Sequence, residues 1–256
     1  MVILLIGGRN KIASQLVVDL NNQHSFKFLT NNSSGVWRFG EECNLSDFDK
    51  IDRIIFLAWN KRDLNSSLNS LNYILNIKNS SFHDIDLLFI SSYSIFNKTR
   101  YGISKLIGEE LVKSHGGKFI RSPLIKDNLD TYELKGLLKF VKLFPIIPSN
   151  QLWGGAIENV SLENLVQEIG NWISDPKTFT APGLLKNTIE STSISEILRN
   201  NSISNLKTYF IIDFGAKVFK LFFSFFGSKS RTVDSILGFY LNDLNPIKVR
   251  YREEQV

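Results

Sequence analysis

Cysteine and histidine are nearly absent from this chain of 256 residues, which has one cysteine, Cys43, and three histidines. A single cysteine excludes an internal disulfide framework. His24, His83 and His115 are far apart in sequence and lie in polar or loop-like contexts, so no metal site is expected. The N-terminal segment does not combine a basic start, an apolar stretch and a small-residue cleavage site. We therefore expect a cytoplasmic protein.

Clustered charge of one sign is also missing. The 30 lysines and arginines give a formal net charge of +5, but they are spread along the chain among 25 acidic residues. A protein that reads nucleic acid usually concentrates its basic residues on one face. The pattern therefore favours anionic small molecules, or an anionic membrane surface, over nucleic acid as a partner. The sequence has no zinc-finger spacing and no internal repeat period.

Apolar runs alternate with helical patterns through residues 1–122. The run "VILLI" after Met1 precedes two glycines and a helical pattern, and such a run is typical of a strand that is covered on both faces. Strands and helices that alternate with short connections predict an α/β fold with a parallel, doubly wound sheet. Residues 1–122 are therefore predicted to form an NAD(P)-binding Rossmann domain. Further strands are predicted at 26–29, 53–58, 86–91 and 118–122, and helices at 66–77 and around Tyr101.

Residues 123–256 have a different pattern. An extended segment is predicted at 156–160, and helices at 132–144, 161–173 and 193–200. This favours a smaller, mostly helical C-terminal substrate lobe over the carboxyl edge of the sheet. The segment at about 153–175 is expected to return to the Rossmann domain.

The first strand-to-helix turn contains the predicted phosphate-binding residues. A Rossmann turn has glycines at its first, fourth and seventh positions, which Gly7, Asn10 and Ala13 occupy here. Gly7 permits a tight turn, Asn10 is a residue type that tolerates left-handed backbone angles, and Ala13 allows close packing. The pyrophosphate is expected at the helix N-terminus, and a plain β–α turn is the alternative. The predicted contacts are Gly7, Arg9, Asn10, Lys11 and Ile12.

The choice between NAD and NADP depends on the end of the second strand. NAD-binding proteins usually have a carboxylate there for the ribose 2′-hydroxyl, but this chain has Thr30, Asn31 and Asn32. Arg9 and Arg38 are predicted to reach a 2′-phosphate as charge-assisted donors, unless both are solvated surface residues. The sequence therefore favours NADP slightly over NAD.

Tyr101 and Lys105 are four residues apart on a predicted helix, so their side chains share one face. A lysine ammonium beside a phenol favours the phenolate, which suits the tyrosine for proton transfer. Ser91 and Ser92 end the preceding strand, where a hydroxyl can orient a substrate oxygen. The Tyr-x-x-x-Lys spacing alone is common on helix surfaces, whereas the set with the serine and the glycine turn predicts an active site.

The order of these motifs resembles the extended short-chain dehydrogenase/reductase superfamily, in particular the NAD-dependent epimerase/dehydratase family of nucleotide-sugar enzymes. The resemblance covers the turn at 7–13, "IIFLAWN", "FISSYSIF", "YGISKLIGEELV" and "FIRSPLI". It implies that Ser92 is the catalytic serine, Tyr101 the acid/base and Lys105 the residue that binds the cofactor ribose. It also implies cofactor contacts from Asn44, Leu45, Leu57, Ala58, Trp59, Ser122, Pro123 and Leu124.

The resemblance implies hydride transfer between NAD or NADP and a sugar carbon of a nucleotide sugar, as in surface polysaccharide biosynthesis. Tyr93 and Ser94 stand where sugar dehydratases of this family have an Asp-Glu pair, so an epimerase or ketoreductase is favoured. A homodimer is implied by resemblance only. The alternative is a non-catalytic dinucleotide-binding scaffold or sensor. Its support is the degenerate glycine turn and the short loop of eight residues between Ser92 and Tyr101.

The segment at 209–227 has three possible placements, and the scaffold alternative would dock on a partner or a membrane through it. If it is helical, one narrow polar stripe of Asp213, Lys217, Lys220 and Ser224 interrupts an apolar surface. These charges argue against a membrane span. Burial in the lobe or in a dimer contact is preferred, and peripheral attachment to a membrane interface is the alternative.

Overall fold

The computed structural model describes residues 1–8, 10–30, 37, 39–41, 50–81, 84–96, 99–125, 146–148, 156–179, 190–193 and 207–209. The chain divides into two compact units. The first unit consists of residues 1–123 and 160–188, and the second consists of residues 124–159 and 189–256.

Five strands form the main sheet of the first unit, in the order β2-β1-β3-β4-β5. Every neighbouring pair in this sheet is parallel. The order reverses between β1 and β3, so the carboxyl ends of these two strands flank the crevice where open α/β sheets bind ligands. The predicted parallel, doubly wound α/β fold is confirmed. The strands are β1 (Val2–Ile6), β2 (Ser25–Leu29), β3 (Arg53–Phe56), β4 (Asp86–Ser92) and β5 (Lys118–Ser122).

Four described helices accompany this sheet. The side chains of Asn10, Thr99 and Ser161 each accept a hydrogen bond from the backbone N–H three residues on, which caps the first, third and fourth helices. Such caps satisfy N–H groups that the first turn of a helix leaves without an intrahelical partner. The predicted helices are found with small changes at their ends. They are α1 (Lys11–Leu20), α2 (Leu64–Ser81), α3 (Arg100–Ser114) and α4 (Leu162–Ser174).

The core lies on both faces of the sheet. Ile3, Leu4, Leu5 and Ile6 follow one another in β1, and all four are fully buried. Because successive strand residues point to opposite faces, both faces of β1 are covered. α2 packs with α3, and α1 packs with α4, whose Trp172 is fully buried. This two-sided burial explains why β1 is apolar throughout.

The described elements of the second unit are short strands. β6 (Leu124–Ile125), β8 (Ala156–Val160) and β9 (Glu190–Ser193) form one sheet with β8 in the centre, and β8 and β9 are antiparallel. β7 (Ile146–Pro148) pairs in parallel with β10 (Lys207–Tyr209). The extended segment predicted at 156–160 is β8.

Several predictions for the C-terminal half concern residues outside the described ranges. These are the helix at 132–144, the helix at 193–200 apart from Ser193, which ends β9, and the docking segment at 209–227 apart from Tyr209. Within the part of the chain that the structure describes, no helix has the length and hydropathy needed to cross a bilayer.

Substitution of Gly7 tests the packing of the first turn. Gly7 has φ +93°, and an added Cβ would lie 2.7 Å from the backbone N of Ala58. We expect Gly7→Ala to lower the free energy of unfolding by roughly 2–5 kcal/mol, because left-handed strain and overpacking add. Gly116→Ala is the matched control, since Gly116 has φ +69° and open space around it, and should cost only about 1–2 kcal/mol. Urea denaturation measures both variants, and equal losses of unfolding free energy in Gly7→Ala and Gly116→Ala would contradict this packing argument.

Candidate active site

The carboxyl edge of the parallel sheet brings most of the predicted site residues into one region of the first unit. Gly7 follows β1, residues 57–59 follow β3, Ser92 ends β4 and Ser122 ends β5. Tyr101 lies in the first turn of α3, which follows β4. Because all five strands are parallel, their carboxyl ends share one edge. The fold therefore gathers residues that are distant in sequence.

The turn between β1 and α1 is tight and lies against β2 and β3. Gly7 N donates a hydrogen bond to Leu29 O at 2.9 Å, and Leu57 N donates one to Ile6 O at 2.8 Å. These bonds continue the sheet by one residue on each side of β1. The absence of a side chain on Gly7 is what allows the backbone of Ala58 to lie so close.

The N-terminus of α1 differs from the expectation in one respect. Asn10 has an extended backbone, with φ −96° and ψ 162°, and its Oδ1 accepts a hydrogen bond from Ala13 N at 2.8 Å. The left-handed conformation expected at Asn10 is therefore not found, and the residue caps the helix. The first turn has no acidic residue, and Lys11 is exposed there.

Ser92 and Tyr101 are both half-buried at the edge of the sheet. Ser92 Oγ accepts a hydrogen bond from Ser94 N at 3.2 Å, so this bond does not use the hydroxyl hydrogen. Thr99 caps α3 by accepting from Gly102 N at 3.0 Å, which determines where the helix begins and hence where Tyr101 lies. The short turn from Tyr93 to Phe96 connects β4 to this region.

Lys61 is a site residue that the sequence motifs did not identify. Its Nζ lies 4.9 Å from the centre of the Tyr101 ring, within the range of a cation–π interaction. Lys61 is exposed and lies in the connection between β3 and α2. No fixed spacing links it to Tyr101. The only signal in the sequence is its position soon after a parallel strand, which places a loop residue at the carboxyl edge.

Lys105 is buried beneath aromatic rings. The residue is 4% exposed, and its Nζ donates a hydrogen bond to Ile90 O at 2.7 Å. The same nitrogen lies 4.3 Å from the ring centre of Trp59 and 4.5 Å from that of Phe89. Phe89 is the last residue of β4 that pairs with β3. The Ile90 carbonyl that accepts from Lys105 therefore lies one residue beyond this pairing.

Burial lowers the pKa of Lys105 well below its usual value, Glu109 raises it and Lys61 lowers it. Glu109 is 1% exposed, and Arg121 binds its carboxylate through Nη2 at 2.8 Å and through Nε at 3.1 Å. The Arg121 guanidinium lies 5.5 Å from the ring centre of Phe96. This ion pair joins α3 to β5 and to the turn after β4.

Trp59 fills the space between α3 and β4. Its Nε1 donates to Ser104 Oγ at 3.4 Å, and Ser104 Oγ donates to Tyr101 O at 2.8 Å. An added Cβ on Gly108 would meet the indole at 2.9 Å, so Gly108 makes room for the ring. The indole of Trp59 therefore covers Lys105, a contact that the sequence motifs did not predict.

Some of the other predicted cofactor contacts lie among the residues that the structure describes, and the rest lie outside them. Ser122 is buried, and its Oγ donates to Pro123 O at 3.0 Å. Leu124 begins β6 and belongs to the second unit. Among the described residues, no group of three or more His, Cys, Asp or Glu side chains is arranged to hold a metal ion. The predicted contacts outside the described ranges are Arg9, Arg38, Asn44 and Leu45.

No family model and no curated protein matches this chain, but solved structures share its fold. UDP-glucuronic acid 4-epimerase from Bacillus cereus, in complex with NAD, is 15% identical with a TM-score of 0.61, over 82% of this chain and 85% of that chain. The terminal R domain from the myxalamid PKS-NRPS biosynthetic pathway is 13% identical with a TM-score of 0.64, over 94% and 78%.

A third similar structure is CapF, a capsular polysaccharide assembling protein from Staphylococcus aureus. It is 20% identical with a TM-score of 0.56, and the match covers 77% of this chain. The chain spans 57% of the length of CapF. At these identities the likeness shows the fold. The expected resemblance to nucleotide-sugar epimerases and their relatives is confirmed at that level.

Replacement of Lys105 by methionine tests the cost of its burial. The folded pKa of Lys105 is lowered below 10.5, so the unfolded chain binds more protons between the two values and wild-type stability rises with pH there. The burial of the charged Lys105 costs the folded state the most free energy at pH values below the folded pKa of this residue. Lys105→Met removes the donor to the Ile90 carbonyl, so we expect it to lower the free energy of unfolding by about 1–3 kcal/mol. The variant should also lose the rise of stability with pH, because the group that titrates is gone.

Urea denaturation over a pH series measures this difference. Lys113→Met is the matched control, because Lys113 is exposed on the same helix and its substitution should change stability by less than about 1 kcal/mol. A Lys105→Met protein that is more stable than wild type at neutral pH would show that the cost of burying the charge outweighs the hydrogen bond to Ile90.

Proposed function

We propose that this chain is an NAD(P)-dependent enzyme that epimerises or reduces a nucleotide sugar, with Tyr101 as the acid/base. The observation that carries the proposal is that Lys61 lies over the ring of Tyr101, while Ser92 ends β4 at the carboxyl edge of the sheet and Lys105 is buried one turn further along the helix of Tyr101. The neighbouring structure of UDP-glucuronic acid 4-epimerase, in complex with NAD, supports the same reaction class.

The residues of this chain bind, orient and move a proton. A nicotinamide cofactor, when bound, supplies the hydride chemistry at the sugar carbon. The Ser92 hydroxyl holds the substrate oxygen at the end of β4, and the Tyr101 phenol takes or gives the hydroxyl proton. Positive charge near the phenol favours its ionised form, which would suit Tyr101 to this task.

The cofactor is proposed to bind across the carboxyl ends of β1 and β3. Its pyrophosphate would lie at the N-terminus of α1, close to Gly7 and Lys11. Leu57 and Ala58, which follow β3, would line the cofactor beside them. The lean toward NADP depends on Arg9 and Arg38, and the neighbouring epimerase structure supports a nicotinamide dinucleotide in general.

Epimerisation or reduction is favoured over dehydration. The turn after β4, from Tyr93 to Phe96, contains no acidic residue. An eliminating enzyme needs an acid and a base at the carbons that lose water, and this turn offers neither beyond Tyr93. The 4-epimerase among the similar structures supports epimerisation. The similarity to CapF supports a role in surface polysaccharide biosynthesis.

A homodimer that packs through α3 is part of the proposal. Ile103, Leu106 and Ile107 are 41–50% exposed on this helix and share one face, since they are three and four residues apart. An apolar stripe of this kind is better buried against a second copy than left in water.

The alternative is a non-catalytic dinucleotide-binding scaffold. The observation that favours it is the burial of Lys105, which leaves little of its ammonium group for a cofactor ribose. Mass spectrometry of nucleotides released from denatured protein, together with NADH and NADPH titration, separates the possibilities. Retained cofactor favours an epimerase that regenerates it in place, and an empty protein that binds NADPH favours a ketoreductase. Binding of neither favours the scaffold.

Tyr101→Phe tests the proposed proton transfer. The substitution removes only the hydroxyl, so we expect turnover of nucleotide sugars to fall by at least about 100-fold while NAD(P)H affinity is nearly unchanged. Tyr73→Phe is the matched control, because Tyr73 lies in the middle of α2 and is not among the predicted site residues. Conversion of a panel of UDP-sugars provides the assay. Undiminished turnover in Tyr101→Phe would refute the mechanism.

Arg9→Ala tests the preference for NADP. A charge-assisted contact to the 2′-phosphate is worth about 1.5–3 kcal/mol, so we expect NADPH affinity to fall roughly tenfold or more and NADH affinity to change little. Fluorescence titration with both cofactors measures the two effects. Arg62→Ala, an exposed arginine in another connection, controls for general loss of charge. Equal weakening of both cofactors would remove the case for NADP.

A further inference from the structure

Phe28 is an aromatic residue that the proposed mechanism does not use. It lies in β2, one residue before the end of the strand, and is 45% exposed. Among the large hydrophobic side chains that are exposed in the described part of the chain, it is the only aromatic one. A single exposed apolar residue is ordinary in itself, so the position of the ring decides what it indicates.

The Phe28 ring lies directly against Gly8, the second residue of the turn between β1 and α1. A Cβ added to Gly8 would lie only 2.4 Å from Cδ1 of the ring, well inside the distance at which carbon atoms normally pack. Gly8, unlike Gly7, is outside the left-handed backbone region. The contact with the ring, and not the backbone conformation, therefore accounts for the glycine at position 8.

Hydrogen bonds between β1 and β2 hold the ring and the turn in one arrangement. Phe28 pairs with Leu5 of β1, and the Leu29 carbonyl accepts a hydrogen bond from Gly7 N at 2.9 Å. Successive strand residues point to opposite faces. Leu29, which is 2% exposed, therefore enters the core, and Phe28 lies on the other face beside the turn.

This position corresponds to the adenosine end of a bound dinucleotide. In Rossmann proteins the pyrophosphate lies at the N-terminus of the first helix, and the ribose hydroxyl meets a residue at the end of the second strand. Phe28 is two residues before Thr30, the first residue after β2. The ring is therefore next to the turn proposed for the pyrophosphate and to the strand end where the ribose of the adenosine is expected.

An adenine base is flat and presents an aromatic face. Such a base gains affinity by stacking on an aromatic side chain, and the gain does not require a fixed pattern of hydrogen bonds. Gly8 already supports one side of the Phe28 ring, so little side-chain freedom remains to be lost on binding. A half-exposed ring in this position is suited to an adenine base.

We infer that Phe28 is a further cofactor-binding residue, whose exposed ring packs against the adenine of the dinucleotide. Phe28 acts on cofactor affinity alone, because it is at the adenosine end and away from the hydride-transferring nicotinamide. This inference rests on the proposed function for the presence of a dinucleotide at the carboxyl edge of the sheet.

Isothermal titration calorimetry with ADP-ribose tests the inference. ADP-ribose contains the adenosine and the pyrophosphate of the cofactor and lacks the nicotinamide, so the measurement does not depend on turnover. Phe28→Leu keeps an apolar side chain against Gly8 but removes the aromatic face, and we expect it to raise the Kd by roughly five- to tenfold. Phe28→Tyr keeps the ring and should stay within about twofold of wild type.

Phe26→Leu is the matched control. Phe26 is two residues earlier in β2 and so lies on the same face as Phe28, but it pairs with Ile3, further from the turn. We expect its ADP-ribose affinity to equal that of wild type. Circular dichroism and urea denaturation check that each variant folds. An unchanged Kd in Phe28→Leu would overturn the inference, and so would an equal rise in Phe26→Leu, because loosening of β2 would then explain both.

Nuclear magnetic resonance decides the question if Phe28→Leu does not fold. With phenylalanine labelled on its ring, we expect nuclear Overhauser effects in wild-type protein between a labelled ring and the adenine H2 and H8 protons of ADP-ribose. These effects should vanish in Phe28→Tyr, where an unlabelled tyrosine replaces the ring. Effects that are absent from wild type, or that persist in Phe28→Tyr, would overturn the inference.

Failure of the proposed function would be distinguishable from failure of the inference. Wild-type protein that binds ADP-ribose through Phe28 but leaves the panel of UDP-sugars unchanged would refute the enzyme alone. Turnover of a UDP-sugar with an unchanged ADP-ribose Kd in Phe28→Leu would refute the role of Phe28 alone. Wild-type protein that binds neither ADP-ribose nor NADH nor NADPH would refute both.

Discussion

The hydrogen bond from the Lys105 ammonium to the Ile90 carbonyl is the interaction on which the candidate site depends. It joins α3 to β4 one residue beyond the last residue of β4 that pairs with β3. Trp59 closes over the same ammonium group, and Gly108 makes room for the indole. The ion pair of Glu109 with Arg121 then ties the helix to β5. Tyr101 lies at the carboxyl edge of the sheet because α3 is held in this way.

A buried ammonium group is an expensive means of attaching a helix, because its charged form loses hydration. The ring faces of Trp59 and Phe89 and the charge of Glu109 offset part of that cost. Lys61, in the connection after β3, is exposed, and its ammonium group lies over the tyrosine ring.

Much of the first unit could be predicted from the sequence. The apolar run of β1 and the helical pattern after Gly7 and Gly8 are local signals, and the structure has β1, α1 and the parallel sheet where they indicate. Ser92 and Tyr101 were placed at the edge of the sheet for the same reason. The backbone of Asn10 was expected to be left-handed, but its side chain caps α1. In the second unit a mostly helical lobe was expected, and its described elements are strands.

The sequence by itself determined the order of strands and helices, the parallel sheet and the edge at which its loops meet. These features follow from periodicity and from short connections, which are properties of neighbouring residues. Only the tertiary structure decided what surrounds each lysine. Lys61 contacts Tyr101, and Trp59 covers Lys105, because the carboxyl ends of β3 and β4 lie side by side. Such contacts join residues that are distant in sequence, and no spacing along the chain specifies which side chain reaches which neighbour.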